Sequence, residues 1–200
     1  MLLSRLPAAE RREQLLDVAA ELFSAQGYAR ATTSQLARAA GVTEPIIYRH
    51  FKSKRDLFVA LIERTGERTL LQWERDLEGA SNPGDRLARV IGDNPMVSAA
   101  GRDSYRVFLQ SISEIDDEKI RDAVRGHIAR LHAFVTGEIE AAQTARQVAD
   151  RFPAKVIAWM LLEIGLGYGV MSAMRIEGHG DGSEGVHVKD ALIRILIGKG

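Results

Sequence analysis

Residues 32–51 have the sequence TTSQLARAAGVTEPIIYRHF, and the rest of the chain can be interpreted around them. Thr32 and Gln35 have the spacing of a capping box, in which each side chain bonds the backbone of the other residue, so a helix is expected to begin near Thr33. Gly41 stands where a helix needs a left-handed residue in order to end. The sequence therefore predicts a short helix followed by a turn.

A second helix should follow that turn. Thr43 fits its N-cap, and Pro45 is tolerated in its first turn because first-turn amides have no helical partners. Two short helices joined by a glycine-containing turn are typical of a helix-turn-helix, whose second helix enters the DNA major groove, although an ordinary helical hairpin fits the same pattern. Ile47 and Phe51 would form the inner face. The side chains left outside suit phosphates and base edges, and they are Thr43, Glu44, Ile46, Tyr48, Arg49 and His50.

Length and composition set wider bounds. The 200 residues allow one large domain or two small ones, and the absence of cysteine excludes disulfide bonds and thiolate metal sites. No apolar segment of secretory length is found at the N-terminus, so we expect a cytoplasmic protein. Residues 1–58 hold nine Lys or Arg against six Asp or Glu, whereas residues 59–200 hold 18 against 21. A basic N-terminal part and an acidic remainder favour a protein that meets phosphate with one end.

Helices are predicted on both sides of this stretch. Residues 8–26 form an amphipathic helix that should cover the back of the helix-turn-helix. Ser53 and Asp56 have the spacing of another capping box, which begins a helix reaching about residue 77. Free amides at the start of this helix, with Lys54 beside them, predict a phosphate clamp.

The spacing of many residues in this region is that of a known family. Residues 10–62 resemble the DNA-binding domain of the TetR/AcrR family of transcriptional regulators, and the matching positions are Ala19, Leu22, Phe23, Gly27, Tyr28, Thr32, Thr33, Leu36, Ala37, Ala40, Gly41, Val42, Ile47, Tyr48, Arg49, His50, Phe51, Lys54 and Leu57. The resemblance implies that Thr33 and Lys54 contact phosphate. It also implies that backbone or bases are met by Thr43, Pro45, Tyr48 and His50. Ile46 departs from the small or polar residue common in the family, so the operator sequence does not follow.

The remaining chain is predicted to be helical throughout. Apolar residues recur at steps of three and four over 85–92, 102–113, 117–142, 153–175 and 188–197, and no strand alternation is found. Asp93-Asn94-Pro95 and the segment Gly178–Gly185 are expected to interrupt the helices. We therefore predict an all-α protein with a three-helix DNA-binding domain over 1–53 and a helical ligand-binding and dimerisation bundle over 54–200.

Residues 156–174 include one charged residue, Glu163, and their length alone would allow a membrane span. Gly165, Gly169 and Ala173 recur every four residues, which instead favours close packing against another helix. The family resemblance implies that helices 153–175 and 188–197 pair with their copies in a homodimer, so no membrane contact is expected.

Candidates for a ligand site lie in the central helices. Aromatic and polar side chains that could line a cavity are Tyr105, Phe108, His127, Trp159 and Glu163. Each has an ordinary alternative: the aromatic residues can be plain core, His127 a satisfied core histidine, and Glu163 a partner of Arg194. His127 and His132 are five apart and do not share a helix face, so no metal or other cofactor is expected.

The function implied by the resemblance is a ligand-responsive repressor, released from a palindromic operator in double-stranded DNA by a small-molecule effector. A ligand-independent architectural DNA-binding protein is the alternative. A third class is an enzyme on a helical scaffold, but no nucleophile–base pair, carboxylate dyad or metal cluster stands out. We therefore expect no catalytic residues.

Overall fold

The computed structural model describes residues 6–92, 105–174, 176, 179 and 184–197. All regular structure in these residues is helical, which confirms the predicted all-α class. The helices are α1 (Ala8–Gln26), α2 (Thr33–Ala39), α3 (Glu44–His50), α4 (Lys54–Asp76), α5 (Pro83–Gly92), a helical segment over 105–109 that continues as a 3₁₀ helix (Gln110–Glu114), α6 (Glu118–Thr144), α7 (Ala154–Ala173) and α8 (Glu184–Ile197).

The chain divides into two compact units. The first, which we call the head, falls within residues 1–65 and 106–125. The second, the body, falls within residues 66–105 and 126–200. The division therefore lies inside α4 and inside α6, rather than at the start of α4, and it assigns a segment from the middle of the chain to the head. A functional boundary at residues 53 and 54 stays a prediction.

Local signals in the sequence determine where α2, α3 and α4 begin or end in the head. The capping box of Thr32 and Gln35 is present in both directions, and Gly41 ends α2 in the left-handed region with φ 65°. Both features confirm the prediction. Thr43 occupies the N-cap of α3 with an extended backbone, but its side chain makes no capping hydrogen bond. The start of α3 therefore depends on the backbone conformation of the turn. Ser53 accepts from the amide of Asp56 at 3.0 Å and so caps α4 as predicted.

An aromatic group lies at the centre of the head. Tyr28 stacks on Phe58 with ring centroids 4.2 Å apart, and Phe23 meets both rings edge to face. All three are buried. Because edge-to-face and stacked pairs each add to the burial of apolar area, this group fixes α1 against α4.

The body has its own apolar core, in which Trp73 stacks on Phe134 at 5.4 Å. Two apolar residues, one in each of the helices predicted over 102–113 and 188–197, lie outside this core. Ile112 is 66% exposed because it belongs to the 3₁₀ helix, whose three-residue turn rotates it off the predicted α-helical stripe. Ile195 is 77% exposed, since α8 packs through Leu192, Ile193, Leu196 and Ile197 instead. The predicted interruption at 93–95 lies outside the described residues, as does most of 178–185.

Candidate functional site

The outer face of α3 is the candidate nucleic-acid interface. Ile47 and Phe51 are buried as predicted and attach this short helix to the head. Tyr48 is 49% exposed on the opposite face. Thr43, Pro45 and Arg49 are also exposed, and Glu44, Ile46 and His50 are partly so. The structure thus brings these predicted side chains together on one helix and its cap, while their contact with DNA stays a prediction.

Three polar side chains on the exposed side of α2 and α3 are joined by hydrogen bonds. The Thr33 hydroxyl donates to Oε2 of Glu44 at 2.9 Å, and it lies 3.3 Å from the Tyr48 hydroxyl. Thr33 is the first residue of α2, whereas the other two belong to α3. The group therefore joins the two helices of the helix-turn-helix at their exposed side.

Arg12 holds the opposite end of α3. Its guanidinium lies over the Phe51 ring, 4.4 Å from the centroid, and Nη1 donates to the carbonyl of His50 at 3.4 Å. A cation beside the last carbonyls of a helix interacts favourably with the helix dipole, and a cation over an aromatic face adds to that. The sequence did not show this role, since an arginine near a helix start is more often solvated.

Lys54 has a different position from the one predicted. Its ammonium donates to the carbonyls of Tyr28 and Ala31 at 3.0 Å each and to that of Ala29 at 3.4 Å, above the Tyr28 ring. An ammonium has three donors, and all three are directed at the turn after α1. The charge of Lys54 therefore satisfies backbone carbonyls in this structure, and its contact with phosphate stays a prediction.

The segment after residue 105 supports the head from a distance in sequence. The Gln110 side chain donates to the carbonyl of Phe23 at 2.9 Å and accepts from the amide of Tyr28 at 2.7 Å. It thereby pairs the amide of Tyr28 and adds a second hydrogen bond to the Phe23 carbonyl, which also accepts from the amide of Gly27. No local pattern in the sequence indicates a partner 82 residues away.

Two ion pairs strengthen the same support. Arg55 pairs with Asp117 and Asp56 with Lys119, each at 3.1 Å. The hydrogen bond from Lys119 holds the pKa of Asp56 below its ordinary value. The first residues of α6 are thus attached to the first turn of α4 within the head.

In the body, the structure brings together two of the predicted ligand-site residues. Tyr105 and His127 are both buried, and the Tyr105 hydroxyl lies 3.5 Å from Nε2 of His127. Burial raises the pKa of Tyr105 to about 12, against a smaller opposing effect of its hydrogen bond with Thr69. Burial, with a smaller contribution from Arg130, lowers the pKa of His127 to about 4. Both side chains are therefore neutral at pH 7.

Phe108 is also buried, but it belongs to the segment assigned to the head. Trp159 and Glu163 are exposed on α7 rather than buried with that pair, and a ligand contact of either stays a prediction. Trp159 stacks on His132 at 4.3 Å. Nor does an ion pair join Glu163 to Arg194 in the described chain, where both are exposed.

The face of α7 that carries Trp159 is apolar and uncovered in the protomer. Its exposed apolar side chains are Val156, Trp159, Met160, Ile164 and Met171, and Met174 follows directly after the helix. The buried face is formed by Ala154, Ile157, Ala158, Leu162 and Gly165. Lys155 and Glu163 are the charged side chains exposed on α7, and an uncovered face that is otherwise apolar favours a partner.

Length and composition alone would let part of α7 cross a membrane. Ala154–Met171 has a mean hydropathy of 1.4, and 28% of it is buried. Glu163 stands exposed near the middle of this segment, where a charged side chain would cost roughly 3 kcal/mol in a bilayer. A protein partner therefore fits the uncovered face better than lipid.

Known proteins share the head in sequence. Residues 15–61 match the family model described as bacterial regulatory proteins, tetR family. Within the head, residues 15–61 therefore belong to the tetR family. The FasR transcriptional activator of Mycolicibacterium smegmatis is 46% identical over 61 residues, which are 30% of this chain and 28% of that protein. The AcrR transcriptional regulator of Shigella flexneri is 43% identical over 107 residues, 52% of this chain and 49% of that protein.

This chain thus matches half or less of the length of these two relatives. A likeness along nearly the whole chain is found in a solved structure. A transcriptional regulator from Saccharomonospora viridis, crystallised in complex with choline, superposes with a TM-score of 0.84 over 96% of this chain and 100% of that one. Its sequence is 22% identical, so the comparison supports the fold of head and body alone.

Proposed function

We propose that this protein is a sequence-specific, DNA-binding transcriptional regulator that acts as a homodimer and responds to a small molecule. The observation that carries the proposal is the outer face of α3. A helix of seven residues is unstable by itself, yet Ile47 and Phe51 hold it so that Tyr48, Arg49 and His50 lie at the surface. Hydroxyl, guanidinium and imidazole groups on an exposed recognition helix suit phosphates and base edges.

The homodimer rests on the uncovered face of α7. Exposed Trp159, Met160 and Ile164 form a surface of the composition found at the centre of stable interfaces. We propose that this face, together with α8, meets the same face of a second copy. Two heads at a fixed separation would then bind two half-sites of a palindrome.

The effector site is proposed at the buried pair of Tyr105 and His127 in the body. Both groups are buried, polar and neutral, and polar groups held in the interior are those that orient a small ligand. The choline complex of the similar Saccharomonospora viridis protein supports a small-molecule ligand for this chain. Its effector need not be the same compound.

We propose further that the protein is a repressor, in which the effector favours a state that binds operator less tightly. The coupling is reciprocal, so operator must weaken effector binding by the same factor as effector weakens operator binding. Titration of the operator complex with choline and a panel of metabolites tests this step. An effector that binds at saturation and leaves operator affinity unchanged would contradict it.

The test of DNA binding selects fragments of the source genome on the full-length protein and then measures the best fragment at two salt concentrations. We expect a palindrome to be enriched, with affinity that falls steeply as salt rises because phosphate contacts release counterions. Tyr48→Ala should abolish the enrichment. Leu71→Ala is the matched control, since Leu71 is 53% exposed on α4 in the body and should enrich the same fragments as the wild type.

A folded protein that enriches no fragment, or one whose Tyr48→Ala variant enriches the same fragments equally well, would contradict the proposed use of α3.

A further inference from the structure

The directions of the hydrogen bonds among Thr33, Glu44 and Tyr48 are determined by their chemistry. A carboxylate only accepts, so the single hydroxyl proton of Thr33 must point to Glu44. The 3.3 Å contact between the two hydroxyls then requires the Tyr48 proton to point to Thr33. Both hydroxyl protons are therefore directed inward, and the chain of bonds ends on the carboxylate.

This arrangement disfavours phosphate at the two hydroxyls. Either hydroxyl would have to give up its present partner before it could donate to a phosphate oxygen. The carboxylate beside them adds a negative charge that repels phosphate. The family resemblance implies that Thr33 contacts phosphate, but the geometry here gives it another task.

We propose that Glu44 is a specificity-determining residue that accepts from the exocyclic amino group of cytosine, and that Thr33 and Tyr48 position its carboxylate. This inference rests on the proposed DNA-binding function and names one base contact of it. Glu44 is the first residue of α3, and the N-terminal residues of a recognition helix are those that contact base edges. Among the described residues, Oε1 of Glu44 has no hydrogen-bond partner and remains available to accept.

Cytosine fits this acceptor better than the other bases. Its major-groove edge offers the N4 amino group as a donor, whereas guanine and thymine present acceptors that a carboxylate repels. Adenine offers an amino group beside the N7 acceptor, so a carboxylate gains less there. Because the Thr33 hydroxyl donates to Oε2 and the Tyr48 hydroxyl donates to Thr33 in turn, the carboxylate cannot turn away from an unfavourable base without losing its hydrogen bond. The residue thereby selects against wrong bases as well as for the right one.

The first experiment compares binding-site selection from random duplexes for the wild type, Glu44→Gln and Glu21→Gln. Glu21 is exposed on α1, so its variant removes the same charge from the head without touching the hydroxyls. We expect the wild type to require cytosine at one fixed position of each half-site. Glu44→Gln should lose that preference by roughly tenfold or more. Glu21→Gln should keep it.

The second experiment tests the positioning role. Thr33→Val and Tyr48→Phe should each weaken the preference at the same base pair that Glu44→Gln affects, and Thr33→Ser should restore it. In the double variant Thr33→Val/Glu44→Gln, the loss should equal that of Glu44→Gln alone, because the residues act as one unit. A hydroxyl that contacts phosphate would behave differently: Thr33→Val would weaken all sequences alike and leave every base preference unchanged.

The outcomes separate this inference from the function on which it rests. A wild type that enriches no sequence would overturn the proposed function and this inference with it. A wild type that selects a palindrome, together with a Glu44→Gln variant of identical base preferences, would overturn the inference alone.

Discussion

Two exposed helix faces of this protein differ in chemistry. The outer face of α3 carries hydroxyl, carboxylate, guanidinium and imidazole groups, whereas the outer face of α7 carries indole, thioether and branched aliphatic groups. A polar face can exchange a partner for water at little cost, while an apolar face of this extent requires cover. The comparison supports the proposed DNA partner of α3 as one that dissociates readily and the proposed protein partner of α7 as one that remains bound.

The two helices also differ in what holds them in place. Seven residues of α3 depend on tertiary contacts, which Ile47, Phe51 and Arg12 supply. The 20 residues of α7 pack one face on the body core and leave the other uncovered. The positions of the exposed side chains of α3 are therefore determined by contacts within the head. Those of α7 depend on the length and regularity of the helix itself.

The largest effect should come from a charge on the apolar face. Trp159→Glu would place an uncompensated carboxylate in the proposed dimer interface, at a cost of about 3–5 kcal/mol. Dimer affinity should therefore fall by roughly 100-fold or more, as measured by sedimentation equilibrium. Operator binding should weaken with it.

Leu71→Glu is the matched control, because Leu71 is similarly exposed but lies on α4. It should leave the dimer intact. If both variants dissociated equally, or if neither dissociated, the α7 face would not differ from the remaining surface in its role in the dimer.

The stability of the body should depend on pH through the buried His127. Burial lowers the pKa of His127 to about 4 from its ordinary value of 6.5. Between pH 6.5 and pH 4, His127 is protonated in the unfolded chain but neutral in the folded chain, which favours unfolding. The contribution of neutral His127 to stability is therefore complete above pH 6.5 and is lost as the pH falls towards 4. The loss should reach about 3 kcal/mol.

Denaturant unfolding of the wild type and His127→Gln across this pH range measures the effect. The two stability curves should converge as the pH falls, because the variant lacks the titrating group. Parallel curves would show that His127 does not carry the dependence.

Lys54→Met separates a structural lysine from a phosphate-binding one. Loss of charge-assisted hydrogen bonds to Tyr28 and Ala31 should destabilise the head by about 2 kcal/mol. Hydrogen exchange at the amides of residues 28–31 should accelerate accordingly. The salt dependence of DNA binding, measured where the variant is folded, should keep the wild-type slope. A reduced slope with unchanged exchange would restore the phosphate role.

The smallest effect concerns a single exposed cation on α3. Arg49→Ala should weaken DNA binding by about 1 kcal/mol and lower the salt slope by about one unit, if Arg49 neutralises one phosphate. Arg151→Ala, in the exposed loop after α6, is the control and should change neither quantity. An unchanged slope in Arg49→Ala would assign that side chain to a base edge or to solvent.

Sequence reasoning was most accurate where a signal is local. Thr32, Gln35 and Gly41 lie within ten residues of one another, and their capping and left-handed conformations follow from side-chain chemistry alone. The carbonyl contacts of Lys54 were not predicted, because its acceptors lie 23 to 26 residues earlier and only the folded turn brings them to it. The role of Gln110 was missed for the same reason.

The exposure of Trp159 and Glu163 on α7 was not predicted, for a different reason. A helix that is apolar on every side has almost no amphipathic signal, so its sequence indicates burial without indicating which face is buried. Trp159 and Glu163 were therefore assigned to the interior, whereas the small residues Ala154, Ala158 and Gly165 occupy it. Steric fit between helices decides this orientation, and it depends on residues far apart in the chain.

The Gln110 side chain has a consequence for how the protein is made. It closes the turn between α1 and α2 by bonding Phe23 and Tyr28, yet it lies beyond the middle of a 200-residue chain. A ribosome that synthesises from the N-terminus releases residues 6–62 long before residue 110 emerges. The growing polypeptide therefore carries an incomplete head until Gln110 has emerged. The DNA contact proposed for α3 would be made by molecules that have passed this point, in preference to shorter fragments still attached to the ribosome.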